Sequence, residues 1–190
     1  MVLYSYQNHI KGEGMNKNKL THFHCPRWHE LPDIPIFNRE VVAFINHIFQ
    51  QMVPDEELIT TTMIQNYSKW HMIPKVPGRK YHKEHVAYLI VLTTYKQVLQ
   101  LEDIKRGVDL LLQLMTIEEG YNRFAQSIEI SINGLLEAVR RGGNLTFDGQ
   151  IVPKHSEGLQ VVSNAVALKL LGTMIIRENG LDELKEKYDV

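Results

Sequence analysis

Between Thr60 and Lys83 the chain carries Lys69, Lys75, Arg79, Lys80 and finally Lys83, with no acid among them. Thr61, Thr62, Gln65 and Asn66 stand just ahead of the first of these lysines. Hydroxyls and carboxamides donate and accept hydrogen bonds, so they suit the donor and acceptor edges of base pairs in a major groove. Ammonium and guanidinium groups hold phosphate oxygens whatever the base sequence. The chemistry on offer is recognition, not bond making. The 190 residues include 21 Lys plus Arg and 22 Asp plus Glu, a net charge of -1. The rest of the chain is therefore acidic on balance, and one basic face is expected rather than a basic protein.

Such side chains need a projecting helix and a loop behind it. Thr60 or Thr61 suits the cap, because β-branched residues are weak inside helices. Ile64 and Tyr67 then face one way, while Thr62, Gln65, Asn66 and Lys69 face the other. Trp70 is expected to pack beside the turn that follows. Pro74 bars continuation, Pro77-Gly78 predicts a compact turn, and "RKY" reads as a short extended piece.

Upstream, the three prolines of "PRWHELPDIPIF" predict an extended arm pinned by Trp28, Leu31, Ile34 and Ile36. Asn38 suits a helix cap, with Glu40 in the first turn and Val41, Ile45, Ile48 and Met52 on one buried face. Downstream, buried helices are expected over 82–99, from Leu101 and from Ile117 to Arg140. Asp148-Gly149 signals a β-hairpin. The segment Glu157 to Arg177 is apolar on nearly every side and reads as a helix buried in its own domain or against a partner, and "LDELKEKYDV" as a solvated tail.

"ITTTMIQNYSKWHMIP" resembles the recognition helix of MerR-type regulators, in which a Ser/Thr-capped helix carries Thr-Leu-Arg-Tyr-Tyr and ends in Gly-Leu-Ile-Pro. Met63 to Tyr67 fall on that pentad, and Met72-Ile73-Pro74 on the end. "RKYHKEHVAYLIVL" resembles the wing's Arg-x-Tyr and the Ser-Glu-Glu-Asp-Val after it, and "LQLEDIK" resembles the Phe-Ser-Leu-Glu-Glu-Ile that opens the next helix. The similarity runs from about Asn38 to Val108. Together with "PRWHELPDIPIF", these segments are similar to a Gram-positive bacterial family of unassigned function with a MerR-like module. The chain departs from the MerR pattern at Gln65 and Asn66, where Arg and Tyr are usual, and at His71, where Gly is usual. Its wing is shorter, and its link from Val53 to Ile59 is longer.

The resemblance implies a mainly α fold: a MerR-like winged helix-turn-helix, then a C-terminal helical region with a small β-hairpin. The expected domains are a disordered leader (1–25), the winged domain with its arm (26–115) and a helical dimerisation or regulatory region (116–190). The implied function is sequence-specific binding of double-stranded DNA in transcriptional control. Thr61, Thr62, Gln65, Asn66 and Lys69 would meet the groove, and Lys75, Arg79, Lys80 and Tyr81 the backbone. A homodimer through the C-terminal helices is expected, since two half-sites call for two copies. The alternatives are an adaptor that keeps the winged fold but binds protein, and a regulator whose effector sits among the C-terminal helices.

Other constellations carry less. His22, His24, Cys25 and His29 lie close together, but no second ligand pair follows at the spacing of a structural zinc site, so no metal is expected. His85 stands where a helix-opening acid is usual and is expected at the surface. There is no phosphate-binding glycine loop, no Gly-x-Ser-x-Gly elbow and no cysteine beside an obvious base, so neither an enzyme nor a cofactor is expected. One cysteine excludes an intrachain disulfide, and no apolar run suggests a membrane span, so a cytoplasmic location is expected.

Overall fold

The computed structural model describes residues 22–50, 52–53, 56–141 and 156–188. Prolines set the course of the arm: a 3-10 turn at Trp28–Glu30 is its only helical piece, and it ends in strand β1 (Ile36–Phe37). Leu31 and Ile36 are buried, whereas Ile34, expected to pin the arm, is exposed. Helix α1 (Asn38–Phe49) follows. Its cap is Phe37 rather than the expected Asn38. Glu40 reaches back to accept the Phe37 N–H at 2.8 Å, and Asn38 donates instead to the Thr61 carbonyl at 3.3 Å. That bond ties the start of α1 to the start of α2 (Thr61–Lys69). Val41, Phe44, Ile45 and Phe49 are the buried side of α1.

Strand β2 (Lys80–Tyr81) pairs antiparallel with β1, Ile36 opposite Tyr81 and Phe37 opposite Lys80. Helix α3 (Lys83–Tyr95) is the centre of the core, with Val86, Leu89, Ile90 and Leu92 all buried. Helices α4 (Leu101–Leu112), α5 (Ile117–Arg141), α6 (Glu157–Arg177) and α7 (Leu181–Tyr188) complete the chain. The architecture is mainly helical with one small two-stranded sheet. The hairpin expected at Asp148-Gly149 lies outside the described residues.

Helices α5 and α6 form the most extensive helix pair and run in the same direction. Arg123 donates to the Ser156 hydroxyl at 3.3 Å, and Ser131 donates to Asn164 at 2.7 Å, so both sequences advance together. Gln160 closes a buried polar cluster by donating to Ser131 at 2.8 Å and to Asn164 at 3.0 Å. Such a cluster fixes register, because a slip would leave its members buried and unpaired. Tyr95 joins α3 to this pair, edge-on to Phe124 at 5.2 Å and hydrogen-bonded to Ser163 at 3.0 Å.

The expected leader ends too late. Phe23 and Cys25 are buried, and α5 holds the backbone around them with polar side chains. Asn133 accepts from the Phe23 N–H at 2.8 Å and donates to its carbonyl at 2.9 Å; Glu129 accepts from Cys25 N–H at 3.0 Å, and Asn122 from Trp28 N–H at 2.8 Å. Asn122, Glu129 and Asn133 lie on one stripe of α5, so the helix acts as a ladder for the backbone from Phe23 to Trp28. Burial pushes the Cys25 thiol far up from its ordinary range. Iodoacetamide should therefore leave Cys25 unmodified in the native protein and label it once denaturant is added, as mass spectrometry would read; rapid native labelling would contradict this burial. The expected solvated tail also differs: Leu184 and Tyr188 of α7 are buried.

Candidate nucleic-acid interface

The helix that carries the polar residues begins as its sequence dictates. Thr60 is the cap, its hydroxyl accepting the Met63 N–H at 3.2 Å. Ile64 and Tyr67 are buried, which turns Thr62, Gln65 and Lys69 outward along one line. Thr61 beside them is exposed, and Asn66 is half-buried at the edge.

The helix stops at a left-handed residue. His71 has φ 55°, Met72 N–H donates to the Tyr67 carbonyl at 2.9 Å, and His71 N–H to Ser68 at 3.2 Å. That is the Schellman pattern, which glycine normally completes. The sequence shows the conflict, and the backbone keeps the turn despite the side chain. His71→Gly should therefore stabilise the fold by about 1 kcal/mol, the left-handed cost less the added chain entropy. A chemical denaturation midpoint that does not rise would contradict the strain.

The loop beyond is anchored from beneath. His85, expected at the surface, is fully buried. Its Nδ1 accepts the His82 N–H at 3.1 Å and its Nε2–H donates to the Lys75 carbonyl at 3.3 Å, the tautomer that satisfies both partners. A histidine thus replaces the carboxylate of a capping box while gripping the loop. Gly78 turns that loop with φ 76°. Lys75, Arg79 and Lys80 are exposed along it, and the Lys80 ammonium lies 5.0 Å from the Phe37 ring centre.

Among the described residues, Lys69, Lys75, Arg79 and Lys80 have no carboxylate partner, so their charges face solvent together. Lys83 does not join them: it pairs with Asp33 and lies over Trp28. Tyr81, expected to grip the backbone, is a correction. Alternation along β2 turns Lys80 out and Tyr81 in, edge-on to His85 at 6.2 Å, and burial raises its phenol pKa. Trp70 is a second correction, 53 % exposed instead of packed beside the turn. Arg39 was missed by the sequence reading. It is exposed in the first turn of α1, beside the Asn38 that bonds to Thr61, and the only sequence signal was its place next to a cap-like residue.

No curated protein and no solved structure matches the chain. One family model matches residues 26–126, just over half of the chain, from the arm through α4 to the start of α5. It takes in every residue of the basic face and leaves α6 outside. The chain belongs to the family described as Domain of unknown function (DUF1836).

Proposed function

We propose that the protein is a DNA-binding transcriptional regulator built on a MerR-like winged helix-turn-helix. In this reading α1 and α2 are the helix-turn-helix, the segment from Lys75 to Lys80 is the wing, and α2 is the recognition helix. One observation carries it: Thr62, Gln65 and Lys69 face outward along α2, Lys75, Arg79 and Lys80 are exposed on the segment that follows, and among the described residues no carboxylate pairs with any of the four cations. Thr61, Thr62, Gln65, Asn66 and Lys69 serve the groove, and Lys75, Arg79 and Lys80 the phosphates. The working species is a homodimer, because a symmetric operator presents two half-sites.

Two features give the alternatives their footing. The exposed Trp70 borders a trough in which Met72, Leu101 and Leu110 lie beside Glu102, Lys105, Arg106 and Asp109, a mixed apolar and charged surface of the kind an adaptor would use. An apolar cleft of about 470 Å³, lined by Tyr88, Ile104, Leu111, Phe124 and Val162, would suit an effector. Selection from a random duplex pool tests the leading reading. Enrichment of a shared motif supports it; recovery indistinguishable from a no-protein control would give the adaptor reading the lead.

A further inference from the structure

Helix α6 was expected to be buried in its own domain or against a partner, and within the single chain one side of it is left uncovered. Its inner side packs on α3 and α5, but Val161, Leu168 and Ile176 are 67 %, 44 % and 78 % exposed. With Gly158, Ala165 and Gly172 they form one line, spaced three and four residues apart, running roughly 27 Å along the helix. Lys169 is the only charged residue between Glu157 and Arg177. The neighbouring α5 adds Ile130, 41 % exposed and next to the Ser131 that bonds Asn164. A continuous apolar face of this length on a folded chain marks a surface that something covers.

We infer that a second copy of the chain covers it, with the two α6 helices crossing antiparallel about a two-fold axis centred between Val166 and Ala167. The line alternates large and small side chains, and antiparallel pairing matches them. Val161 meets Gly172 of the second copy, Ala165 meets Leu168, and Gly158 lies within one residue of the position opposite Ile176. Each large side chain enters the space a small one leaves, and the small residues let the backbones approach. Parallel pairing in register would set large on large and small on small. Charge selects the same direction. Antiparallel pairing brings Glu157 near Arg177 of the second copy at both ends, whereas parallel pairing sets like charges together. Arg177 also pairs with Glu56 of its own chain, which holds it at the rim. The contact is isologous, so it closes at two copies. This gives the homodimer of the proposed function its surface, and its test needs no DNA, so the two can fail separately.

Sedimentation of the full chain at micromolar concentration should give twice the monomer mass of 22.0 kDa. Ala165→Glu and Leu168→Lys each place a charge at the crossing and should weaken association about 100-fold or more, leaving species of 22.0 kDa. Both positions face solvent in the single chain, so circular dichroism should show unchanged helicity. Mixing the two variants should restore the dimer, because the antiparallel register sets the new glutamate against the new lysine. A monomeric wild type would overturn the inference, as would single variants that stay dimeric or a mixture that stays monomeric. By length and composition α6 could also cross a membrane. Monomeric protein that floats with phosphatidylglycerol vesicles through this face would therefore overturn the second-copy assignment in favour of lipid.

Discussion

Arg79→Ala and Lys80→Ala are expected to lower affinity for every duplex alike and to reduce the slope of log affinity against log salt by roughly 0.9 each. Both side chains stand on the turn that β2 and Gly78 present to solvent, and neither meets a carboxylate among the described residues. Their loss removes charge without opening the core. Gln65→Ala and Asn66→Ala should behave differently, keeping the salt slope and relaxing preference at one or two base pairs, at about 1–3 kcal/mol each. Gln65 lies in the centre of the exposed line of α2 and Asn66 at its edge, so Gln65 should show the larger effect. The chain is close to neutral, so binding away from this face should contribute little. Fluorescence anisotropy over a salt series reads both quantities. Equal salt slopes for all four variants and wild type would remove the division of labour between helix and wing.

Phe23→Ala should cost about 3–5 kcal/mol and lower the melting temperature by roughly 10 °C. The ring is 2 % exposed and packs 5.6 Å from the Phe49 ring centre, so truncation leaves a cavity between the arm and α1. His22→Ala, one residue away, removes an exposed ring that among the described residues hydrogen-bonds to Asn133 at 3.2 Å, and should change stability by less than about 0.5 kcal/mol. The contrast places Phe23 inside the folded unit, ahead of the boundary expected at Pro26. A loss below about 1 kcal/mol for Phe23→Ala, read by calorimetry, would return the boundary to the position expected from sequence.

Helical periodicity made much of the architecture legible. The ends of α6 and the starts of α4 and α5 all lie where their apolar spacing put them. Thr60 as cap and His71 as a strained turn were legible because caps and left-handed residues are local properties. The failures share a cause: they depend on what a distant segment supplies. Asn38 lost its role as cap to a bond with Thr61, and His85 was drawn inward by the Lys75 carbonyl. Phe23 and Cys25 follow a polar stretch, and the Asn122, Glu129 and Asn133 ladder of α5, about a hundred residues on, holds them in place together with the Phe49 ring of α1. Tyr81 was misplaced for a smaller reason. A two-residue strand leaves its alternation undetermined until the pairing with Ile36 sets which side faces inward. Within the candidate site, residue types and order were legible, while the inward turn of Tyr81 was not.

Amide hydrogen exchange with and without a duplex taken from the selected pool tests the central claim most directly. If α2 and the wing are the nucleic-acid interface, protection on binding should fall on peptides covering Thr61–Lys69 and Lys75–Lys80, with α5 and α6 unchanged. Protection confined to the Trp70 trough or to α6, or no change anywhere at saturating duplex, would contradict it.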